Sequence, residues 1–283
     1  MTKRLTEEKM ARCVAAASLL LLFFLPAKLH AAASEWVTAA GGAIRLVAAQ
    51  PEADGTIPAI LEVKLKPGWK TYWRNPGASG IPPQITIDPS SGVVLKGIDF
   101  PAPKNFGEGA ARYVGYDTPV TFPLTLTRTR NDGSDLAIRA SVFLGICEEI
   151  CIPVQGELNL VLKKGEFDNP LDEVRIADAV AALPQAPSND FNVTKASFDA
   201  EAGAIRLRLQ LPPESKADQP DLFLAGPSGM SFGKPAFGAE TGVQRTADIP
   251  VRFSGKDKDI KGKPIALTVR AGSRSMETTL AFD

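Results

Sequence analysis

The sequence predicts an all-β protein: two immunoglobulin-like β-sandwich domains joined by a short helical linker. Three observations carry this expectation. Short runs of β-prone residues recur along most of the chain, and several alternate apolar with polar residues as half-buried antiparallel strands do. Clusters of Gly, Pro, Asn and Asp separate the runs, and 24 glycines with 23 prolines in 283 residues suit many turns better than long helices. A single segment has helical spacing, and it divides the strand-rich chain in two.

Residues 1–33 stand apart. Lys3, Arg4, Lys9 and Arg12 make a basic start, and CVAAASLLLLFFL (13–25) is an apolar run too short to span a bilayer comfortably. Ala31 and Ala33 then form an A-x-A site before Ser34. This is the layout of a cleaved secretory signal peptide, with an uncleaved anchor as the alternative. No later segment is apolar enough to span a membrane, so the mature chain is expected to carry no transmembrane segment.

Cleavage changes the available chemistry. It removes Cys13 and also His30, the single histidine of the chain, and leaves Cys147 and Cys151 as the only cysteines. An even pair suits an oxidising compartment. Without histidine there is no Ser-His-Asp triad, no Cys-His dyad and no histidine-held metal. Formal net charge is zero over the whole chain, and loss of the basic start leaves it mildly negative, which gives no footing for nucleic acid.

The first sandwich is expected over 34–165. AIRLVAA (43–49), AILEVKLK (59–66), WKTYW (69–73), PQITID (83–88), VTFPLTLT (120–127), LAIRASVFL (136–144) and ELNLVL (157–162) read as strands. The intervening KPGW, NPGASG, DPSSG and NDGSD carry turn chemistry. The linker, 166–190, holds NPLDEVRIADAVAALP (169–184). Asn169 suits the N-cap, Pro170 the first helical position, Asp172 and Glu173 the positive end of the dipole, and Pro184 the stop. Leu171, Val174, Ala177, Val180 and Ala181 fall on one face, which is expected to pack on a sandwich.

QAPSND (185–190) is the expected boundary. From 191 to 283 the strand pattern resumes in FNVTKASF, AIRLRLQL, DLFLAG, MSFGKPAF, QRTADIPVRF, PIALTVRA and METTLAF. This second, smaller sandwich has no cysteine, no histidine and no catalytic constellation, and reads as a scaffold or docking module. GKDKDIKGK (255–263) reads as a solvated hairpin loop.

FLGICEEICIPVQG (143–156) holds the cysteine pair, expected on a connection at one edge of the first sandwich. Residues four apart in a tight turn come readily within disulfide reach. Three uses remain open. As a staple the bond is poor, because closing a loop of about five residues yields roughly 2 kcal/mol in the chain-entropy model. As a metal site, two thiolates suit Cu(I), while tetrahedral zinc lacks its further ligands. As a redox centre, an exposed short bridge fits well. Glu148 and Glu149 lie beside the sulfurs and disfavour thiolate, so the reduced pair reacts slowly until a partner changes its surroundings.

The combination of GWKTYWRNPGASGIPPQI (68–85), FPAPKNFGEGAARYVGYDTPVTFPL (100–124) and CEEICIP (147–153) resembles the amino-terminal periplasmic domain of the DsbD-type thiol:disulfide interchange proteins. The branch it resembles most is suppressor of copper sensitivity B, whose soluble part also carries a C-x-x-x-C pair. The resemblance is strong over 41–162 and looser over the second sandwich. It implies a periplasmic, immunoglobulin-like redox domain that needs no cofactor beyond its disulfide. Such a domain takes electrons from a membrane partner and reduces periplasmic disulfide proteins, in pathways such as copper tolerance or cytochrome c biogenesis.

The resemblance also implies residue roles. Cys151 matches the position that forms mixed disulfides, with Cys147 as its resolving partner. An aromatic-bearing cap loop falls within 104–116 and offers Phe106 or Tyr113 as shield and Glu108 as a nearby acid. Tyr72 matches an aromatic lining the site, although Trp69, Tyr72 and Trp73 equally suit the core or rim of a strand. Family members continue into a membrane domain and a thioredoxin-like domain, so here the electron donor is expected to be a separate membrane-embedded thiol reductase. A Cu(I)-binding protein, or a non-catalytic interaction module, is the alternative.

Overall fold

Nearly every expected strand run forms a strand. A computed structural model describes residues 32–77, 80–108, 112–130, 133–215, 219–254 and 260–282. Most of the expected signal peptide, up to Ala31, and most of the expected 255–263 loop lie outside the described residues. In the first sandwich one sheet is ordered β1 (Val37–Ala39), β2 (Gly42–Ala48), β3 (Thr56–Leu65), β9 (Val120–Arg128), β6 (Val93–Ile98). The facing sheet runs β11 (Cys151–Leu162), β10 (Leu136–Cys147), β4 (Lys70–Tyr72), β8 (Tyr113–Tyr116), β7 (Lys104–Phe106), with β5 (Gln84–Ile87) also paired to β10.

The alternation seen in the sequence builds the core between these sheets. Ile44, Leu46, Ile57, Leu61, Phe122, Leu126, Ile138 and Leu144 are all fully buried there. Residues between them on each strand face outward, as the period of two requires.

The second sandwich pairs β12 (Asn192–Asp199), β13 (Ala204–Gln210), β17 (Gln244–Phe253) and β15 (Met230–Phe232), with β16 (Ala236–Thr241) also on β17. Opposite lies a sheet of β14 (Asp221–Ala225), β18 (Ile265–Ala271) and β19 (Arg274–Leu280). Phe191, Ile205, Leu209, Ile249, Leu267 and Met276 fill its core.

The linker helix, α1 (Pro170–Ala181), starts as expected: the Asn169 side chain accepts from the Leu171 N–H at 3.0 Å and Pro170 opens the helix. Its packing face is a correction. Leu171, Val174, Ala177, Val180 and Ala181 are exposed, and the helix instead buries Asp172, Ile176 and Ala179. Ile176 and Ala179 meet Val47 and Ile60 of the first sandwich.

Tethers at both ends set this roll. Before the helix, the Asp168 carboxylate accepts from Gln50 N–H at 2.8 Å. After it, Gln185 donates its N–H to Ser275 O and accepts from Glu277 N–H. The 185–190 segment is therefore pinned to β19 at its first residue.

Candidate functional site

The cysteine pair joins two strands at their ends. Cys147 closes β10, Cys151 opens β11, and the two are direct partners in the antiparallel ladder. Their Cα atoms are 4.1 Å apart and their sulfurs form a disulfide. The expected loop-borne pair is thus corrected to a cross-strand pair at the mouth of a three-residue turn. Long-range pairing adds to the hairpin ladder: Ile146 and Cys147 also pair with Thr71 and Lys70 of β4, and the Thr71 hydroxyl donates to Gly145 O at 2.8 Å.

This placement makes the sulfurs unequal. β10 is flanked by β11 on one side and β4 on the other, so Cys147 is buried. β11 is the sheet edge, and Cys151 is exposed. The turn between them exposes Glu148, Glu149 and Ile150, the last at 77%.

Tyr72 is the side chain that reaches the pair. Its Oη lies 2.9 Å from the sulfurs of both Cys147 and Cys151. A disulfide sulfur carries no proton, so the phenol donates. Burial pushes the Tyr72 hydroxyl above its usual pKa and keeps that proton in place. Only 4% of Tyr72 is exposed.

Glycine makes room for the ring. A Cβ on Gly145 would lie 2.9 Å from the Tyr72 ring, and one on Gly80 would lie 2.8 Å from it. Gly145 is two residues before Cys147 on the same strand face, so the ring passes over it to the sulfurs.

Two further aromatics extend outward from Tyr72. The Tyr113 ring meets it edge-on at 5.6 Å, and Phe106 stacks on Tyr113 at 5.2 Å. Phe106 and Tyr113 are paired residues of β7 and β8, so the expected cap loop over 104–116 is largely a hairpin, with 109–111 outside the described residues. Burial, with smaller contributions from Tyr72 and Asp117, also raises the Tyr113 pKa. Glu108 is exposed beyond β7 and makes no hydrogen bond to Tyr72 or to either cysteine. Trp73 is a core residue, and Trp69 packs half-buried against Gly41.

Two participants escaped the sequence reading. Gly145 is one, and its only signal is a small residue interrupting an apolar run. Lys70 is the other: it sits directly opposite Cys147 in the ladder, and its ammonium donates to Gly68 O at 3.2 Å. Its position two residues before Tyr72 in WKTYW places it on the Tyr72 face.

A β-sandwich carrying one cross-strand disulfide under a tyrosine hydroxyl, one sulfur buried and one exposed, is an arrangement suited to thiol:disulfide exchange. Residues 43–163 match the family described as thiol:disulfide interchange protein DsbD, N-terminal, and residues 182–283 match a domain of unknown function. Among solved structures, the N-terminal periplasmic domain of ScsB from Proteus mirabilis is 27% identical, with a TM-score of 0.68 over 89% of this chain and 99% of that one. The likeness therefore runs through both sandwiches. No curated protein matches. The resemblance to the DsbD family, and to its suppressor of copper sensitivity branch, is borne out. No helix among the described residues is long and apolar enough to cross a membrane.

Proposed function

We propose that the protein is a periplasmic thiol:disulfide oxidoreductase of the protein-disulfide reductase kind. It relays electrons from a separate membrane-embedded thiol reductase to disulfides of periplasmic proteins. The observation that carries this reading is the inequality of the pair: an exposed Cys151 at a sheet edge and a buried Cys147 under Tyr72.

In the reduced protein the Cys151 thiolate attacks one sulfur of a partner disulfide. A bond forms between Cys151 Sγ and that sulfur, the partner's own S–S bond breaks, and its other sulfur leaves as a thiolate that takes a proton. Cys147 then attacks Cys151 Sγ, re-forms the intramolecular disulfide and releases the second partner thiol. Two electrons and two protons have passed to the partner, and a dithiol donor restores the pair by the same exchanges in reverse. Tyr72 holds its hydroxyl proton where negative charge develops on sulfur, which favours each exchange. Glu148 and Glu149 at the turn restrain the free thiolate, so reaction waits for a docked partner.

The test is to incubate the reduced Cys147→Ser variant with periplasmic disulfide proteins and resolve the products without reductant. Accumulation of mixed disulfides through Cys151 is expected. An absence of such adducts, together with tight Cu(I) uptake that the Cys→Ser changes abolish, would replace this reading with copper binding through the same two sulfurs.

A further inference from the structure

The strands that carry the Tyr72–Tyr113–Phe106 ladder continue directly into contacts with the second sandwich. Immediately after Tyr72, the fully buried Trp73 ring lies 6.1 Å from the ring of Phe223 on β14. Arg74 then donates to both carboxylate oxygens of Glu277 on β19, at 3.1 and 2.9 Å. The Asn75 amide donates to Leu224 O at 2.7 Å. Glu277 is itself held by the buried Thr268 hydroxyl at 2.6 Å.

The outer strands of the ladder, β7 and β8, are anchored in the same way. Asn105, beside Phe106 on β7, donates from Nδ2 to Asp221 Oδ1 at 3.2 Å, while Arg112, beside Tyr113, donates to Asn105 Oδ1 at 2.8 Å. Arg270 of β18 fixes Asp221 from behind at 2.6 Å. Alternation of side chains along a strand explains the division of labour: Phe106 turns to the aromatic ladder, and its neighbour Asn105 turns to the second sandwich.

We infer that the second sandwich is the positioning element of the redox site: its β14, β18 and β19 edge holds the Tyr72–Tyr113–Phe106 ladder in place, with the Tyr72 hydroxyl against Cys147–Cys151, and thereby sets how readily the disulfide is attacked. Asp221 and Glu277 touch neither sulfur and act through Asn105 and Arg74. The inference rests on the thiol:disulfide reading for its biological meaning, and it assigns the second sandwich a role in that chemistry.

The experiment compares the rate at which dithiothreitol reduces Cys147–Cys151 in the full chain and in an Asp221→Ala/Glu277→Ala variant, followed by thiol alkylation, with thermal unfolding measured alongside. Reduction is expected to quicken by about fivefold, the scale of losing hydrogen bonds between charged groups at a partly buried junction. In a Tyr72→Ala background the same pair of changes is expected to have no further effect, because the ladder's contact with the sulfurs is already gone. Glu277→Gln, which can still accept from Arg74, is expected to stay near the wild-type rate. Unchanged reduction in the folded double variant, or an equal acceleration with and without Tyr72, overturns the inference. If the double variant does not fold, Asn75→Ala, which loses the bond to Leu224 O, carries the same comparison. Reduction by dithiothreitol needs no biological partner, so this test can fail while partner trapping succeeds, and the reverse.

Discussion

The hydroxyl of Tyr72 stands 2.9 Å from the sulfur of Cys147, and the same oxygen is 2.9 Å from Cys151. One buried donor therefore serves both sulfurs of the disulfide. A hydrogen bond to a developing thiolate is charge-assisted and stronger than one to a neutral sulfur. On the proposed redox reading, the arrangement helps the reacting state more than the resting disulfide.

Removing the hydroxyl alone separates these effects from shielding. Tyr72→Phe keeps the ring over Gly145 and deletes the donor. Alkylation of the reduced pair by iodoacetamide at neutral pH is expected to slow by about tenfold, the equivalent of losing some 1.4 kcal/mol of stabilisation of the thiolate. Tyr72→Ala should instead speed reduction of the oxidised pair by small thiols. Opposite directions in the two variants are the signature; parallel changes would mean that Tyr72 only packs.

Gly145 tests the close approach of backbone and ring. A Cβ there would lie 2.9 Å from the Tyr72 ring, buried on β4, and 3.0 Å from Ile81 Cβ, half-buried in the segment before β5. Gly145→Ala is expected to destabilise the protein by about 1–3 kcal/mol through overpacking, measured by urea denaturation. The displaced ring should also leave the disulfide easier to reduce.

The disulfide is expected to contribute little to the fold. Cys147 and Cys151 are four apart, directly opposed on strands that extend for eleven further residue pairs. Replacing both by Ser is expected to lower stability by no more than about 2 kcal/mol, because the loop closed is only about five residues. Calorimetry showing loss of cooperative unfolding would reverse the assignment and make the bond a structural staple.

The reach of sequence reading follows the range of the forces involved. The alternation in LAIRASVFL is local, and it located β10 well. β10 runs on through Gly145, Ile146 and Cys147 in register with β11, and Ile146 and Cys147 gain a second partner in β4, more than seventy residues away in sequence. No local pattern carries that information. The β7–β8 hairpin was equally hidden, since strands of three and four residues draw their order from β4 and from the second sandwich. The pair itself, Tyr72, Phe106 and Tyr113 were legible through resemblance, whereas Glu108 makes no hydrogen bond at the site. Helix α1 was legible as a helix, but its roll was not: two stripes were available, and tethers at Asp168 and Gln185 selected the one with Ile176 and Ala179.

That selection makes a sharp comparison. Leu171, Val174 and Val180 are 65%, 56% and 53% exposed, whereas Ile176 is 8% exposed against Val47 and Ile60. Changing any of the first three to Gln is expected to alter stability by less than about 0.5 kcal/mol, as exposed positions do. Ile176→Ala is expected to cost about 2 kcal/mol or more. Chemical denaturation of the four single variants distinguishes the observed face from the one the spacing suggested.

The start of the second sandwich carries a pH-sensitive tie. Arg274 donates to Asp190 at 2.6 Å, and the Ser188 hydroxyl donates to the same carboxylate at 2.7 Å. These bonds, the arginine's first, hold the Asp190 carboxyl down from its ordinary 3.8 to about 2. A carboxyl whose pKa is lower in the folded state stabilises the fold at pH values above its unfolded value, and that stabilisation fades as the pH falls toward the folded value. The window is therefore pH 4 down to 2, and raising the pH above it should change nothing through this group. Asp88, lowered to about 2 by Ser90 and Arg139, fades over the same range in the first sandwich and supplies the background slope. Asp190→Asn is expected to flatten part of the fall in melting temperature between pH 4 and pH 2 while leaving the Asp88 part in place. A variant whose melting temperature falls as steeply as the wild type's over that range would show that the Asp190–Arg274 tie does not persist in solution.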